Sequence, residues 1–269
     1  MKWWRKGRVM KVEDIYLYLK SLSKKDVNGT DTLKCGSWDK EVNKVAVTMI
    51  ATVDVIKRAK DWGADLIITH EPTFYEHMDN KIRNDVVTRE KEELIRESEI
   101  SVIRFHDMMH GCEPDMIGQG EFYYLGLEGE YVKGNQFAVN RFNCKNEITP
   151  VELAKLMEEQ LGINHIRICG ARDVKCTKIS ACFGTPGGVF EELRDDDVEI
   201  VLTGEACEWS LGEYARDAAA LGYKKTLLIM GHIGSERDGM KYLTKLLKEE
   251  LRDLEIKYFD CGEVYSYTN

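Results

Sequence analysis

The sequence has little of what would cross-link a chain or fix it in a membrane. Its eight cysteines, at positions 35, 112, 144, 169, 176, 182, 207 and 261, include no CxxC pair. A chain of 269 residues can bury a core without disulfides. The cysteines read as reduced thiols, which places the protein in the cytoplasm. No apolar run approaches the roughly 18–20 residues of a membrane-spanning helix. The segment Met1–Arg8, with two Trp and four basic residues, lacks the apolar stretch of a signal peptide. No membrane partner is expected. Positive charge is also scarce: 38 Lys and Arg stand against 47 Asp and Glu, a formal net charge of -9. Duplex binding usually needs a concentrated basic face, so nucleic acid is not an expected partner, although a local basic pocket for a phosphate stays open. No GxxxxGKS/T loop occurs, and the Gly184–Gly188 turn lacks its lysine.

Hydrophobic residues make up 43% and charged residues 32%, a globular composition. The length suits one large domain or two small ones. Strand and helix signals alternate. Val42–Ile50 is rich in β-branched residues and reads as a strand. Val53–Trp62 has helical spacing, with Thr52 as N-cap and Gly63 as stop. Asp65–Thr69 reads as a buried strand, Asp85–Ser98 as a helix and Ile100–Phe105 as a strand. Thr149-Pro150-Val151-Glu152 is a capping-box start with proline at the first helical position, closed by Gly162. Lys178–Phe183, Glu199–Thr203, Lys225–Met230 and Glu255–Phe259 read as strands. Helices are expected after Gly184–Gly188, over Ala206–Leu221 and over Glu236–Leu251. The Gly- and aromatic-rich stretch Gly118–Arg141 reads as a meander of short strands. This alternation argues an α/β fold with mixed, largely parallel sheets flanked by helices. A soft boundary near residue 130 separates an N-terminal lobe, 1–130, from a C-terminal lobe, 131–269. Ile15, Leu19 and Leu22 give a first helix starting near Met10. Met1–Val9 has no matching pattern, so it is expected to add little to the fold, with Met10 the natural start.

Only six histidines are present, and four fall in three segments of shared design. Ile67-Ile68-Thr69-His70-Glu71-Pro72 puts His70 just past a buried strand. Val102-Ile103-Arg104-Phe105-His106 and Leu228-Ile229-Met230-Gly231-His232 repeat the placement. The carboxyl edge of an open α/β sheet is where ligand sites form. Each of these histidines has a companion: Glu71 follows His70, His110 lies four residues after His106, and Glu236 lies four after His232. Gly231 and Gly234 suggest a turn, with Ser235 as N-cap and Glu236 in the first turn of the last long helix. Imidazole and carboxylate donors without thiolate suit Zn, Mn, Fe, Co or Ni. Six ligands exceed what one zinc ion usually takes, and two bridged divalent ions use six naturally. The metal ligands expected are therefore His70, Glu71, His106, His110, His232 and Glu236. His165 reads as a surface loop residue. His77 reads either as outside the set or as lying behind the ligands or facing substrate. Cys112 reads as a bystander near His110.

Taken in order, these motifs resemble the Ngg-interacting-factor-three-like family of dinuclear metal proteins, often labelled GTP cyclohydrolase 1 type 2. The resemblance runs from about Lys11 to Phe259 and rests on Gly63–Pro72, His106 with His110, Gly184–Gly188, Thr203-Gly204-Glu205 and Gly231-His232-Ile233-Gly234-Ser235-Glu236. The departures are specific. Glu71 stands where members usually have a second His, and His110 where they have Asp, so a histidine and a carboxylate are exchanged and the totals kept. Glu205 stands for the family Asp, Trp209 for a frequent His, and Ile50 for an Asp on the first strand. The large insertion of some members is absent. The resemblance implies a two-lobed α/β protein, metals in the cleft between lobes, and a homohexamer. Two functional classes follow. One is a metal-dependent hydrolase of a small-molecule substrate, a nucleotide ring or a phosphoester, with Glu71 or Glu236 as the catalytic carboxylates. The other is a non-catalytic metal-binding scaffold or regulatory interaction protein. Arg104 and Arg237 are the best placed cations for a substrate phosphate, or else salt-bridge partners.

Overall fold

Local signals set the element boundaries. The computed structural model describes residues 9–25, 29–79, 85–134, 136–185 and 187–268. The expectation for Met1–Val9 lies outside them except at Val9. From the N-terminus, β1 (Met10–Lys11) leads into α1 (Val12–Leu22), followed by β2 (Leu33–Cys35), β3 (Glu41–Val42) and β4 (Lys44–Thr48). Helix α2 (Val53–Trp62) starts where the Thr52 side chain accepts from Val55 N and stops at Gly63 in the left-handed region. Then come β5 (Leu66–Thr69), α3 (Val86–Ser98), β6 (Ser101–Arg104) and the single turn α4 (Asp107–His110). The next elements are α5 (Met116–Leu125), β7 (Gly129–Lys133) and β8 (Val139–Ile148). Helix α6 (Pro150–Leu161) opens with the Thr149/Glu152 capping box and ends at left-handed Gly162. The chain continues through β9 (Arg167–Gly170), β10 (Cys176–Cys182), α7 (Val189–Arg194), β11 (Ile200–Thr203), a π-helical turn (Glu208–Gly212) and α8 (Glu213–Ala220). It finishes with β12 (Thr226–Ile229), α9 (His232–Glu250) and β13 (Glu255–Tyr258).

The chain divides into two units. The first takes residues 1–116 and 240–262, the second 117–239 and 263–269. The first is therefore discontinuous in sequence, and position 130 falls within β7 of the second.

The first unit is built on a five-stranded sheet of order β13-β4-β5-β6-β2. Strands β13, β4, β5 and β6 run parallel, and β2 joins antiparallel to β6. Strands β5 and β6 are buried along their whole length, as a parallel sheet covered on both faces requires. Its core packs Ala46, Ile67 and Val102 of the sheet against Val55, Ile56 and Ala59 of α2 and Ile95 of α3.

The second unit is built on a six-stranded sheet of order β7-β8-β10-β11-β12-β9. Here only β10-β11 and β11-β12 are parallel; β7-β8, β8-β10 and β12-β9 are antiparallel. Val201, Leu227 and Ile229 pack against Val189 and Leu193 of α7 and Ala215 of α8.

Two expectations change. The Gly118–Arg141 meander is half helical, because Met116–Leu125 forms α5. The glycines that argued against a helix serve close approach: a Cβ on Gly120 would stand 2.5 Å from the Cα of Gly239. The last long helix starts at His232, not at Glu236, so Ser235 lies inside its first turn and is not its cap.

Candidate metal centre

In the first unit, parallel register sets Thr69 beside Arg104. The residues that follow β5 and β6 therefore emerge side by side at one sheet edge, bringing His70 and His106 together. Their ring centroids are 4.5 Å apart. Helix α4 then returns His110 to the same spot, 5.2 Å from each of the other two rings. One ligand atom from each of the three lies within 4.8 Å of the other two.

Each ring is held by its Nδ1. His70 Nδ1 lies 3.0 Å from the carbonyl of Phe105. A carbonyl only accepts, so Nδ1 carries the proton and Nε2 presents its lone pair. His106 Nδ1 lies 2.8 Å from Asp107 Oδ1, and His110 Nδ1 lies 2.9 Å from Asp115 Oδ2. A carboxylate or carbonyl behind a histidine is the arrangement that orients metal-bound imidazoles. The donor chemistry thus fits a divalent ion.

The charges follow from these contacts. Burial, with His106 and His110 nearby, holds the His70 imidazole well below the usual histidine range and keeps it neutral. Burial would lower His106 as well, but its bonds to Asp107 and Glu71 outweigh that and raise it to about 9. The bond to His106 holds the Asp107 carboxyl well below its ordinary range. Glu71 Oε1 lies 3.4 Å from His106 Nε2, and Glu71 Oε2 lies 3.7 Å from Arg104 Nη2.

In the second unit His232 and Glu236 share the first turns of α9. His232 Nε2 lies 3.2 Å from Glu236 Oε2, and its Nδ1 lies 2.7 Å from Glu205 Oε1. Three motifs that are far apart in sequence meet here. Gly184 N donates to the Ser235 hydroxyl at 2.9 Å, and that hydroxyl donates to the His232 carbonyl at 2.8 Å. A Cβ on Gly184 would stand 2.5 Å from Glu236 Oε1, and one on Gly204 would stand 2.5 Å from the Gly184 carbonyl. Glycine at both positions lets the backbone close around Glu236.

Within the first unit the structure thus brings together His70, Glu71, His106 and His110; within the second, His232 and Glu236. The carboxylates behind the rings were not singled out from the sequence. An acidic residue one to five positions after His106 and His110 was the available signal. The two candidate phosphate cations are engaged in structure. Arg104 is 0% exposed and donates to the His70 carbonyl at 2.9 Å and to the His77 carbonyl. Arg237 is buried and donates to the carbonyls of Leu161 and Gly162 and to Glu263. His77 is exposed, with its ring edge-on to His106 at 5.8 Å. His165 is exposed and packs on Tyr267. Cys112 donates to the Met108 carbonyl, and burial pushes its thiol up to about 12. Trp209 is 82% exposed on the π-helical turn.

A family model described as Duf34/NIF3 (NGG1p interacting factor 3) matches residues 10–262. A protein of Clostridium perfringens named "GTP cyclohydrolase 1 type 2 homolog" is 23% identical over 262 residues, covering 94% of this chain and 97% of the relative. The Saccharomyces cerevisiae protein named "NGG1-interacting factor 3" is 22% identical over 236 residues, covering 81% of this chain and 80% of the relative. Among solved structures, a Bacillus cereus protein related to NIF3 superposes with a TM-score of 0.80 at 14% identity, covering 97% of this chain and 100% of that one. Reduced HcgD from Methanocaldococcus jannaschii superposes with a TM-score of 0.74 at 20% identity, covering 93% and 98%. At these identities the structural likeness speaks for the fold.

Proposed function

The chain belongs to the Duf34/NIF3 family, and from that premise we propose that it is a dinuclear metal-binding protein acting as a metal-dependent hydrolase. The ligands of the two divalent ions are His70, Glu71, His106, His110, His232 and Glu236. The observation that carries this reading is the common handling of three imidazoles: each Nδ1 faces a carbonyl or carboxylate, and ligand atoms of all three lie within 4.8 Å of one another. Such an arrangement disposes histidines as ligands. When bound, a pair of divalent ions supplies Lewis acidity and an acidified water to hydrolysis. The chain's own contribution is orientation and proton handling. Glu71 and Glu236 are the carboxylates suited to take a proton from the attacking water, Glu71 beside His106 Nε2 and Glu236 beside His232 Nε2. Glu71 Oε2 lies 3.7 Å from the buried Arg104 guanidinium.

The name of the curated bacterial relative makes a purine nucleotide ring the first substrate class to test, and a phosphoester the second. With Arg104 and Arg237 both committed to carbonyls and carboxylates, any phosphate would be held by the ions. The name of the yeast relative favours the second reading, a metal-bearing interaction protein. A homohexamer in the cytoplasm completes the proposal; among the described residues no helix is long and apolar enough to cross a membrane.

Elemental analysis of protein purified without chelator should give more than one equivalent of metal, and His232→Ala should lower it. Protein that cannot be loaded beyond a trace, or full metal in His232→Ala, overturns the assignment. Loaded protein incubated with GTP and with a nitrophenyl phosphodiester then separates the classes. Formate release supports the cyclohydrolase reading and nitrophenol release the phosphoesterase reading. An occupied site with no turnover on either moves the assignment to the interaction protein. Light scattering tests the hexamer.

A further inference from the structure

The segment Thr30-Asp31-Thr32 lies just before β2, outside every motif that marks the site in the sequence. Thr30 and Asp31 are nonetheless each only 2% exposed. The two oxygens of Asp31 divide between two backbone groups of one short turn. Oδ1 accepts from His106 N at 2.6 Å, and Oδ2 accepts from Met108 N at 2.6 Å. The first N–H groups of a helix have no acceptor within the helix, and here a single carboxylate from 75 residues away supplies it. Thr30 works on the side chain: its hydroxyl donates to Asp107 Oδ2, while Asp107 Oδ1 faces His106 Nδ1. The segment is itself anchored. The Tyr16 hydroxyl donates to the Asp31 carbonyl at 2.9 Å, and Arg104 N donates to the Thr32 carbonyl at 3.1 Å.

We propose that Thr30 and Asp31 are positioning residues for the metal ligands His106 and His110, fixing where α4 stands and which way the His106 ring turns. This rests on the metal-binding reading above. Burying a carboxylate is costly unless it is fully hydrogen-bonded, and a neutral serine or asparagine would cap a purely structural turn. A carboxylate with two parallel acceptors does more: it locks His106 N and Met108 N together. His110, whose N–H donates to the His106 carbonyl at 3.1 Å, then moves only with them. His70 is held separately by the Phe105 carbonyl. Loosening Asp31 therefore displaces two of three imidazoles relative to the third, while the sheet beneath stays intact.

The test is cobalt(II) binding, read by chelator competition and by the visible d–d spectrum, on the full chain. Asp31→Asn replaces one acceptor with a donor facing an N–H. Thr30→Val removes only the hydroxyl, and Thr30→Ser restores it. Asp31→Asn and Thr30→Val are expected to weaken cobalt binding about 10- to 100-fold and to shift the spectrum. Thr30→Ser should bind like the parent, and all should keep the parent circular dichroism. If Asp31→Asn does not fold, the Thr30 pair decides. A parent that binds cobalt, with Thr30→Val and Asp31→Asn matching its affinity and spectrum, overturns this inference and leaves the metal assignment standing. A parent that binds no cobalt removes the metal assignment, and this inference with it.

Discussion

In the first unit the histidines are held by acceptors. A carbonyl stands behind His70, Asp107 behind His106 and Asp115 behind His110, and the buried Arg104 ties the loop that carries His70 and His77. In the second unit Glu236 is fitted closely: Gly184 lets its Oε1 come within 2.5 Å of where a Cβ would be, and Gly204 does the same for the Gly184 carbonyl. The two sheets differ in parallel fashion. The first is parallel except at one edge, whereas the second keeps only two parallel pairings, the ones that flank β11. Parallel strands deliver the residues that follow them to one edge, and the first unit uses this to bring His70 and His106 together, with α4 adding His110. The second presents fewer donors there and shapes the backbone around them. Ligands held by hydrogen bonds should weaken by degrees under substitution, whereas ligands held by close packing should fail abruptly.

The largest effect is expected where a methyl group meets that packing. Gly184→Ala puts a Cβ 2.5 Å from Glu236 Oε1 at a φ of +66°. The left-handed backbone and the overlap together should cost roughly 2–4 kcal/mol. Gly63→Ala in the first unit, at a φ of +80° with nothing within 4 Å, should cost only about 1 kcal/mol. Thermal unfolding of the two metal-free variants measures the difference, and equal losses would break the comparison.

Next comes the exchange of Glu71 and His110. Reverting His110→Asp alone sets a second carboxylate against Asp115, and Glu71→His alone sets an imidazole against Arg104. Each single change should weaken cobalt or zinc binding more than the double change, with a coupling of roughly 1–3 kcal/mol. Additive losses in the cycle would show the two positions to be independent.

The acceptors behind the rings give a smaller, graded test. Asp115→Asn should weaken metal binding about 10-fold or more. Glu205→Gln should do less, because the Glu205 side chain is 54% exposed and Asp115 only 8%, and water can replace the lost contact. Competition titrations against a chelator rank the two, and the reverse order would contradict the argument from burial.

The smallest effect belongs to Lys91, which donates to the Thr73 carbonyl beneath the His70–Asp79 loop. Burial lowers its pKa from 10.5 to about 8. Between those values the unfolded chain holds a proton that the folded chain lacks, so stability rises with pH across the window and the penalty is fully present below it. Lys91→Met should be near neutral at pH 7 and should flatten the pH 8 to 10.5 rise seen in urea unfolding. A rise that survives the substitution would place its origin in another group.

Much of the fold is legible locally. Thr52, Thr149, Gly63 and Gly162 end their helices as their types require, and every strand expected from a β-branched run is present within a few residues. The misread regions share a cause. Gly118 and Gly120 look like turn residues, but they sit within α5, where Asn140 and Gly239 come too close for a side chain. Ser235 looks like a helix cap, but its hydroxyl bridges Gly184 N and the His232 carbonyl.

The sequence by itself determined that three strands end in histidine, that each has a second donor nearby, and that the chain is α/β. These follow from side-chain periodicity and helix caps, which act over a few residues. Tertiary structure alone decided which acceptor stands behind each ring, why Gly184 must be glycine, and that the first unit recruits residues 240–262 from the far end of the chain. Those outcomes depend on contacts spanning 51 residues from Gly184 to Ser235 and 75 from Asp31 to His106. At such separations the pairing is set by how strands register and elements pack, which no local pattern encodes.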